Sequence, residues 1–112
     1  MKIGILGCAH AHLKIYCTQW NRDISLDIQP TAVWDRDTER MAQMAAEYGL
    51  QTCETAAELL ERGDLDAVVV AAETSLHADL VEAAAAAGKA IVLQKPMGLT
   101  LADGERIAAA VH

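Results

Sequence analysis

Phenylalanine is absent, and two tryptophans and two tyrosines supply all of the aromatic residues in the 112-residue chain. Basic residues are also few, nine against sixteen acidic ones, which leaves a formal charge of −7. A phosphate backbone or an anionic membrane repels such a surface, so nucleic acid and membrane partners are excluded from the expectation. The three cysteines (Cys8, Cys17 and Cys53) are odd in number and form no Cys-x-x-Cys pair. They read as reduced thiols in a cytoplasmic setting. No apolar run reaches the length of a membrane span, and there is no internal repeat, low-complexity tract or linker. What is abundant is alanine, about a fifth of the residues, and small side chains suit helices packed closely on a sheet.

The length allows one compact domain, and a chain of this size buries roughly two-thirds of its unfolded surface. Short apolar runs of β type alternate with segments of helical period. Lys2–Gly7 reads as a first strand. In the helix after it Leu13, Tyr16, Cys17 and Trp20 recur at i, i+3, i+4, i+7. Thr31–Asp35 reads as a second strand with Pro30 at its start. A helix from about Asp37 carries Met41, Met44, Ala45 and Tyr48 on one stripe and stops at Gly49. Gln51–Cys53 is a weak third strand. Thr55-Ala56-Ala57-Glu58 is a capping box opening a helix that ends at Gly63. Asp66–Ala72 is a continuous apolar run of the kind buried on both faces of a parallel sheet. A helix over Ser75–Ala87 stops at Gly88, Ala90–Gln94 is a fifth strand, and a last helix begins near Thr100. It still runs, uncapped, at His112, which reads as a fragment boundary. Five βα units predict an α/β fold: a doubly wound parallel sheet, Rossmann-like, in three α/β/α layers.

In open α/β sheets ligands bind at the carboxyl ends of the strands. There, Gly7-Cys8-Ala9-His10-Ala11-His12 occupies the place of a Gly-x-Gly-x-x-Gly loop. Gly7 suits the tight turn, and the helix N-terminus behind it offers N–H groups to a pyrophosphate. Ala9 and His12 stand where two of the glycines would be, and one of the histidines is expected to pack or hydrogen-bond beside the phosphates. The spacing of His10 and His12 with Cys8 and Cys17 is unsuited to a metal. Asp35 ends the second strand 23 residues after His12, near the spacing at which an acid meets an adenosine ribose. A carboxylate there favours NAD over NADP, and Arg36 next to it softens that preference. The alternative for Asp35 is a solvated strand end or a helix cap.

In order along the chain, the Gly7 loop, Asp35, 64-DLDAVVVAA-72, 74-TSLHADL-80, Gly88-Lys89, Gln94-Lys95-Pro96 and Leu99-Thr100 make the sequence similar to the N-terminal domain of the Gfo/Idh/MocA oxidoreductases. The resemblance spans residues 1–112. It implies a dinucleotide cofactor and hydride transfer on a sugar, polyol or related hydroxyl or carbonyl compound. It places Thr74, Ser75 and His77 on the nicotinamide-ribose side, with His77 alternatively a solvated first-turn residue. Lys95 matches the lysine of the family's Glu-Lys-Pro motif beside the nicotinamide, where a cation polarises a substrate oxygen; its alternative is a surface lysine at a strand end. Met97 is expected to pack under the loop.

Two positions depart from the family pattern. Gln94 replaces a glutamate that would hold Lys95, and Glu73 stands where a small residue or proline is more usual. The resemblance further implies a second, α+β domain bearing the catalytic acid–base pair and most substrate contacts, absent from these residues. The isolated domain is therefore expected to bind cofactor without useful turnover, and its uncovered surface to favour pairing of copies. Two rival folds or functions share parts of this pattern. A phosphoacceptor receiver domain lacks its acidic pair after strand one and its aspartate after strand three. A non-catalytic module sensing NAD(H) or another adenine nucleotide is the alternative that stays open. Short-chain dehydrogenase chemistry is excluded because neither Tyr16 nor Tyr48 has a lysine four residues on.

Overall fold

The computed structural model describes residues 1–94 and 100–111. Lys95, Pro96 and Met97 lie outside the described residues. The strands are β1 (Lys2–Leu6), β2 (Gln29–Trp34), β3 (Gln51–Thr52), β4 (Ala67–Val70) and β5 (Ala90–Leu93). The α-helices are α1 (Leu13–Arg22), α2 (Thr38–Tyr48), α3 (Ala56–Leu60), α4 (His77–Ala86) and α5 (Leu101–Val111). Among the described residues the strands form one sheet in the order β3-β2-β1-β4-β5, and every pairing is parallel. The expected doubly wound α/β architecture is what the chain adopts.

Side-chain alternation sorts the core into two layers. From β1 and β4, Ile3, Ile5, Ala67 and Val69 meet Leu13, Cys17 and Met44 of α1 and α2. The intervening Leu6, Val68 and Val70 meet Leu59 and Leu60 of α3, the apolar face of α4, and Ile107 of α5. Successive strand residues point to opposite faces, so a run such as Ala67–Val70 is buried throughout only because helices cover both sides. Burying the largest of these side chains contributes about 1.5–3 kcal/mol each. Gly4 belongs to the second layer: a Cβ there would lie 2.8 Å from carbons of Leu59 and Leu65, so the absent side chain lets α3 close on the sheet.

Several boundaries differ from the periodicity. The second strand starts two residues early, at Gln29, with Pro30 inside it rather than before it. The β1/β2 register shifts there, Ile3 matching Pro30 and Gly4 matching Ala32. A bulge is one of the few places where a residue without an N–H is tolerated within a ladder. β4 ends at Val70, two residues before the apolar run does, and Ala71 and Ala72 continue, buried, into the loop. The Ser75 start of the fourth helix is replaced by a 3-10 turn over Thr74–Leu76, with α4 beginning at His77. α3 is shorter than its pattern and ends at Leu60. Its capping box forms with a changed partner. Glu58 N–H donates to Thr55 Oγ1 (3.0 Å), while Glu58 Oε2 accepts from Glu54 N–H (2.9 Å), one residue upstream of the usual position.

All three cysteines are buried and unpaired as disulfides. Burial raises each thiol pKa, and Cys17 is pushed up to about 12, with the Glu47 charge adding to the effect. Thiolate is the reactive form, so Ellman's reagent at pH 8 is expected to label the native protein slowly and all three cysteines at once in denaturant. Rapid native labelling of Cys17 would contradict this packing.

Candidate functional site

The carboxyl ends of β1, β2 and β4 converge on the Gly7 loop. Gly7 has φ +87° and its N–H donates to Trp34 O at 2.7 Å. A Cβ on it would lie 2.2 Å from Ala72 Cβ, so glycine is required by both the backbone conformation and the approach of the β4 end. The next N–H, of Cys8, donates to Asp35 Oδ2 at 3.1 Å, and His10 N–H donates to Ala71 O at 2.9 Å. The loop is thereby fastened to the ends of both strands flanking β1.

Beyond it α1 begins with His12 as N-cap and no side-chain cap, leaving the positive end of the helix to an outside anion. His10 Nδ1 accepts from His12 N–H at 3.2 Å, and the two rings meet edge to face at 5.0 Å. Ala9 and His12 are exposed. His10, His12, Tyr16, Leu93 and Gln94 line an open hollow of about 350 Å³, which brings the loop and the end of β5 together. A larger hollow of about 700 Å³ lies between α1 and α2 around Ile15, Thr18 and Tyr48. It is lined entirely by helix surface and the residues just after α1, so the strand ends do not contribute to it.

Asp35 is 2% exposed and is neither a solvated strand end nor a helix cap. Its two oxygens accept from the backbone N–H groups of Cys8 and Asp37 (3.1 Å each) and from Arg40 Nε and Nη2 (2.5 and 2.8 Å). Burial by itself raises a carboxyl pKa; here the Arg40 and backbone hydrogen bonds outweigh it and hold Asp35 below its usual range. Arg40 is the residue that the sequence reading missed. The signal was present: a cation in the first turn of α2, where the helix dipole disfavours positive charge, five residues after a carboxylate. Arg36, expected to be the modulating cation, instead points its Nε at Glu73 Oε2 (2.9 Å). Glu73 Oε2 also accepts from Arg40 Nη2 at 3.2 Å, while Oε1 is buried and unpartnered. Burial opposes ionisation of Glu73 as well, and its own N–H and the two arginines more than compensate, lowering its pKa.

His77 is 1% exposed, not a solvated first-turn residue. Its Nε2–H donates to Ala72 O at 3.0 Å, because a carbonyl can only accept, and the ring braces the loop after β4 from within the core. Thr74 is half-buried and Ser75 exposed on the adjoining 3-10 turn. Gln94 is buried, its N–H bonded to Val70 O at 3.1 Å. Lys95 and Pro96, the remaining expected site residues, fall outside the described region. Among the described residues no group of three or more His, Cys, Asp or Glu is placed to hold a metal ion, and no helix is long and apolar enough to cross a membrane.

A glycine turn at the end of a central parallel strand, an uncapped helix N-terminus behind it and an acid at the end of the next strand define a Rossmann-like nucleotide-binding domain. The sequence profile of the oxidoreductase family with an NAD-binding Rossmann fold matches residues 1–112, and the chain belongs to this Gfo/Idh/MocA family. It is 35% identical over 107 residues to a dTDP-3,4-didehydro-2,6-dideoxy-alpha-D-glucose 3-reductase from Streptomyces violaceoruber, covering 96% of this chain and 31% of that protein. It is 38% identical over 112 residues to an inositol 2-dehydrogenase from Rhizobium meliloti, covering 97% and 31%. Among solved structures, the 3-ketoreductase KijD10 from Actinomadura kijaniata, in complex with NADP and TDP-benzene, superposes with a TM-score of 0.83 at 28% identity over 99% of this chain and 34% of that one. The chain thus spans about a third of the length of the curated relatives it matches. Those relatives are reductases and dehydrogenases.

The depressed Asp35 pKa sets a pH dependence. Its stabilising contribution is complete above the unfolded carboxylate value near 4 and is lost as pH falls through the lower folded value. Asp35→Asn is expected to cost about 1–3 kcal/mol in urea unfolding at pH 7, discounted from a fully buried pair because Arg40 is partly exposed. The difference from the parent protein should shrink below pH 4; an equal cost at both pH values would contradict it.

Proposed function

We propose that this domain binds a nicotinamide dinucleotide, NAD in preference to NADP, for hydride transfer on a sugar, polyol or related hydroxyl or carbonyl compound. The observation that carries the reading is the 3.1 Å bond from Cys8 N–H to Asp35, which joins the Gly7 turn, where a pyrophosphate would sit, to the carboxylate that would meet an adenosine ribose. The residues fit such a group. Gly7 keeps the turn tight, the α1 N-terminus has no side-chain cap and would receive an anion, and the hollow beside His10 and Gln94 leaves room past β5. Asp35 offers about four acceptor positions and all are used, so a ribose diol gains its bonds as Arg40 gives up one or both of its own. When bound, the nicotinamide supplies or accepts the hydride. The family resemblance assigns Lys95 to orient and polarise substrate there, with Thr74 and Ser75 along the nicotinamide ribose.

The relatives' names support a sugar-type substrate: one is a reductase of a dTDP-deoxyhexose and another a dehydrogenase of inositol. NADP in the KijD10 complex, together with two arginines beside Asp35, makes the choice of cofactor the point to measure. Trp34 directly precedes Asp35, so fluorescence in a Trp20→Phe background is expected to be quenched saturably by NAD, more weakly by NADP, and not at all in Asp35→Ala that still shows a folded circular dichroism spectrum. The 112 residues alone are expected to give no turnover on a polyol panel. Absence of response to either dinucleotide by the folded protein would overturn the cofactor reading in favour of a module for another adenine nucleotide.

A further inference from the structure

Glu73 stands just past the end of β4, yet its side chain reaches the end of β2 and the start of α2. One oxygen, Oε2, receives Arg36 Nε at 2.9 Å and Arg40 Nη2 at 3.2 Å. The other, Oε1, is shut away from solvent with no partner in its present position. Asp35, Glu73, Arg36 and Arg40 therefore form a closed set of two negative and two positive charges, linked Asp35–Arg40–Glu73–Arg36. Arg36 and Arg40 are the cations beside the expected ribose carboxylate. A ribose 2′-phosphate, if present, would have to take its hydrogen bonds from them.

We propose that Glu73 is a built-in anion that holds these two guanidinium groups in place of a 2′-phosphate, and so sets the preference of the pocket for NAD; the inference rests on the dinucleotide reading above. The electrostatics are direct. With Glu73 ionised the four groups sum to zero, and a phosphate ester carrying more than one negative charge enters a pocket with no net attraction and one carboxylate facing it. It must also break two charge-assisted bonds to reach the arginines. The diol of NAD meets neither obstacle. When a ribose displaces Arg40 from Asp35, Oε1 offers the displaced guanidinium a second acceptor on the same carboxylate, so NAD binding leaves no arginine uncompensated. Without Glu73, Arg40 would lack that second partner and Arg36 would be a free cation.

The backbone permits a clean removal. Glu73 has φ −54° and ψ 142°, values open to proline. Its carbonyl accepts from Leu76 N–H at 2.9 Å, a bond that proline keeps.

The test is competitive binding measured by calorimetry on the 112-residue protein, with NAD, NADP, 5′-AMP and adenosine 2′,5′-bisphosphate as probes. In Glu73→Gln the ratio of NADP to NAD affinity is expected to rise at least about tenfold. The bisphosphate is expected to gain over 5′-AMP by a similar factor, and that gain should vanish in Glu73→Gln/Arg36→Ala/Arg40→Ala. Glu73→Pro should shift the ratio in the same direction and guards against an effect peculiar to glutamine. Glu82→Gln, on the exposed face of α4 against Arg106 (2.6 Å), removes the same charge at a remote place and should leave the ratio where it was. A ratio unmoved in both Glu73 variants, with NAD still bound, would overturn this inference and leave the cofactor reading standing. Binding of none of the four probes by the parent protein would overturn both.

Discussion

The carboxylate of Asp35 is the point through which the carboxyl-terminal edge of the sheet is held. It is buried where β2 stops, and a buried charge is tolerable only when every lone pair is met. Here two backbone N–H groups and one guanidinium meet them. One of those N–H groups belongs to the loop after β1 and the other to the start of α2. A single side chain thus couples the Gly7 turn, the second strand and the helix that follows. Arg40 extends the coupling to Glu73 past the end of β4, so three strand ends share one electrostatic unit.

That unit holds the Gly7 loop in its turn with alanine and histidine where the family pattern has glycines. Among the described glycines only Gly7 combines a positive φ with a neighbour at contact distance, and both the backbone conformation and the approach of Ala72 require it. Ala9 and His12 are exposed, and the loop's course is imposed by hydrogen bonds to Trp34, Asp35 and Ala71. His77 contributes from below. Its ring is committed to the Ala72 carbonyl, which steadies the turn carrying Thr74 and Ser75.

Much of the architecture was legible in the residues. Leu13 and Cys17 on α1, Met44 on α2, and the four residues of β4 are buried as their spacing implies, because helical and strand periods report which face meets the core. Tyr16 and Trp20 share the helical spacing yet remain only partly buried and stack on each other along α1; a moment on one helix does not say how far the neighbouring helix covers it. The starts of β2 and α4 were misplaced for a related reason. Whether Pro30 lies in a ladder depends on how β2 is matched to β1, where Thr31 is the unpaired extra residue, and whether Thr74–Leu76 is α-helical or 3-10 depends on how the β4 loop is braced.

What the chain alone determines is the order of elements, the strands buried on both sides, the Gly7 turn and the presence of an acid at the end of the second strand. These follow from local periodicity, turn chemistry and spacing, all of which act over a few residues. What only the tertiary structure decides is the partner of each charged group: Arg40 rather than Arg36 on Asp35, Glu73 between the two arginines, and His77 inside rather than in water. Those pairings join residues 5 to 37 positions apart. They exist because the parallel sheet brings its carboxyl ends to one edge, where long side chains from different loops must neutralise one another or remain buried at a cost of several kcal/mol per unpaired charge.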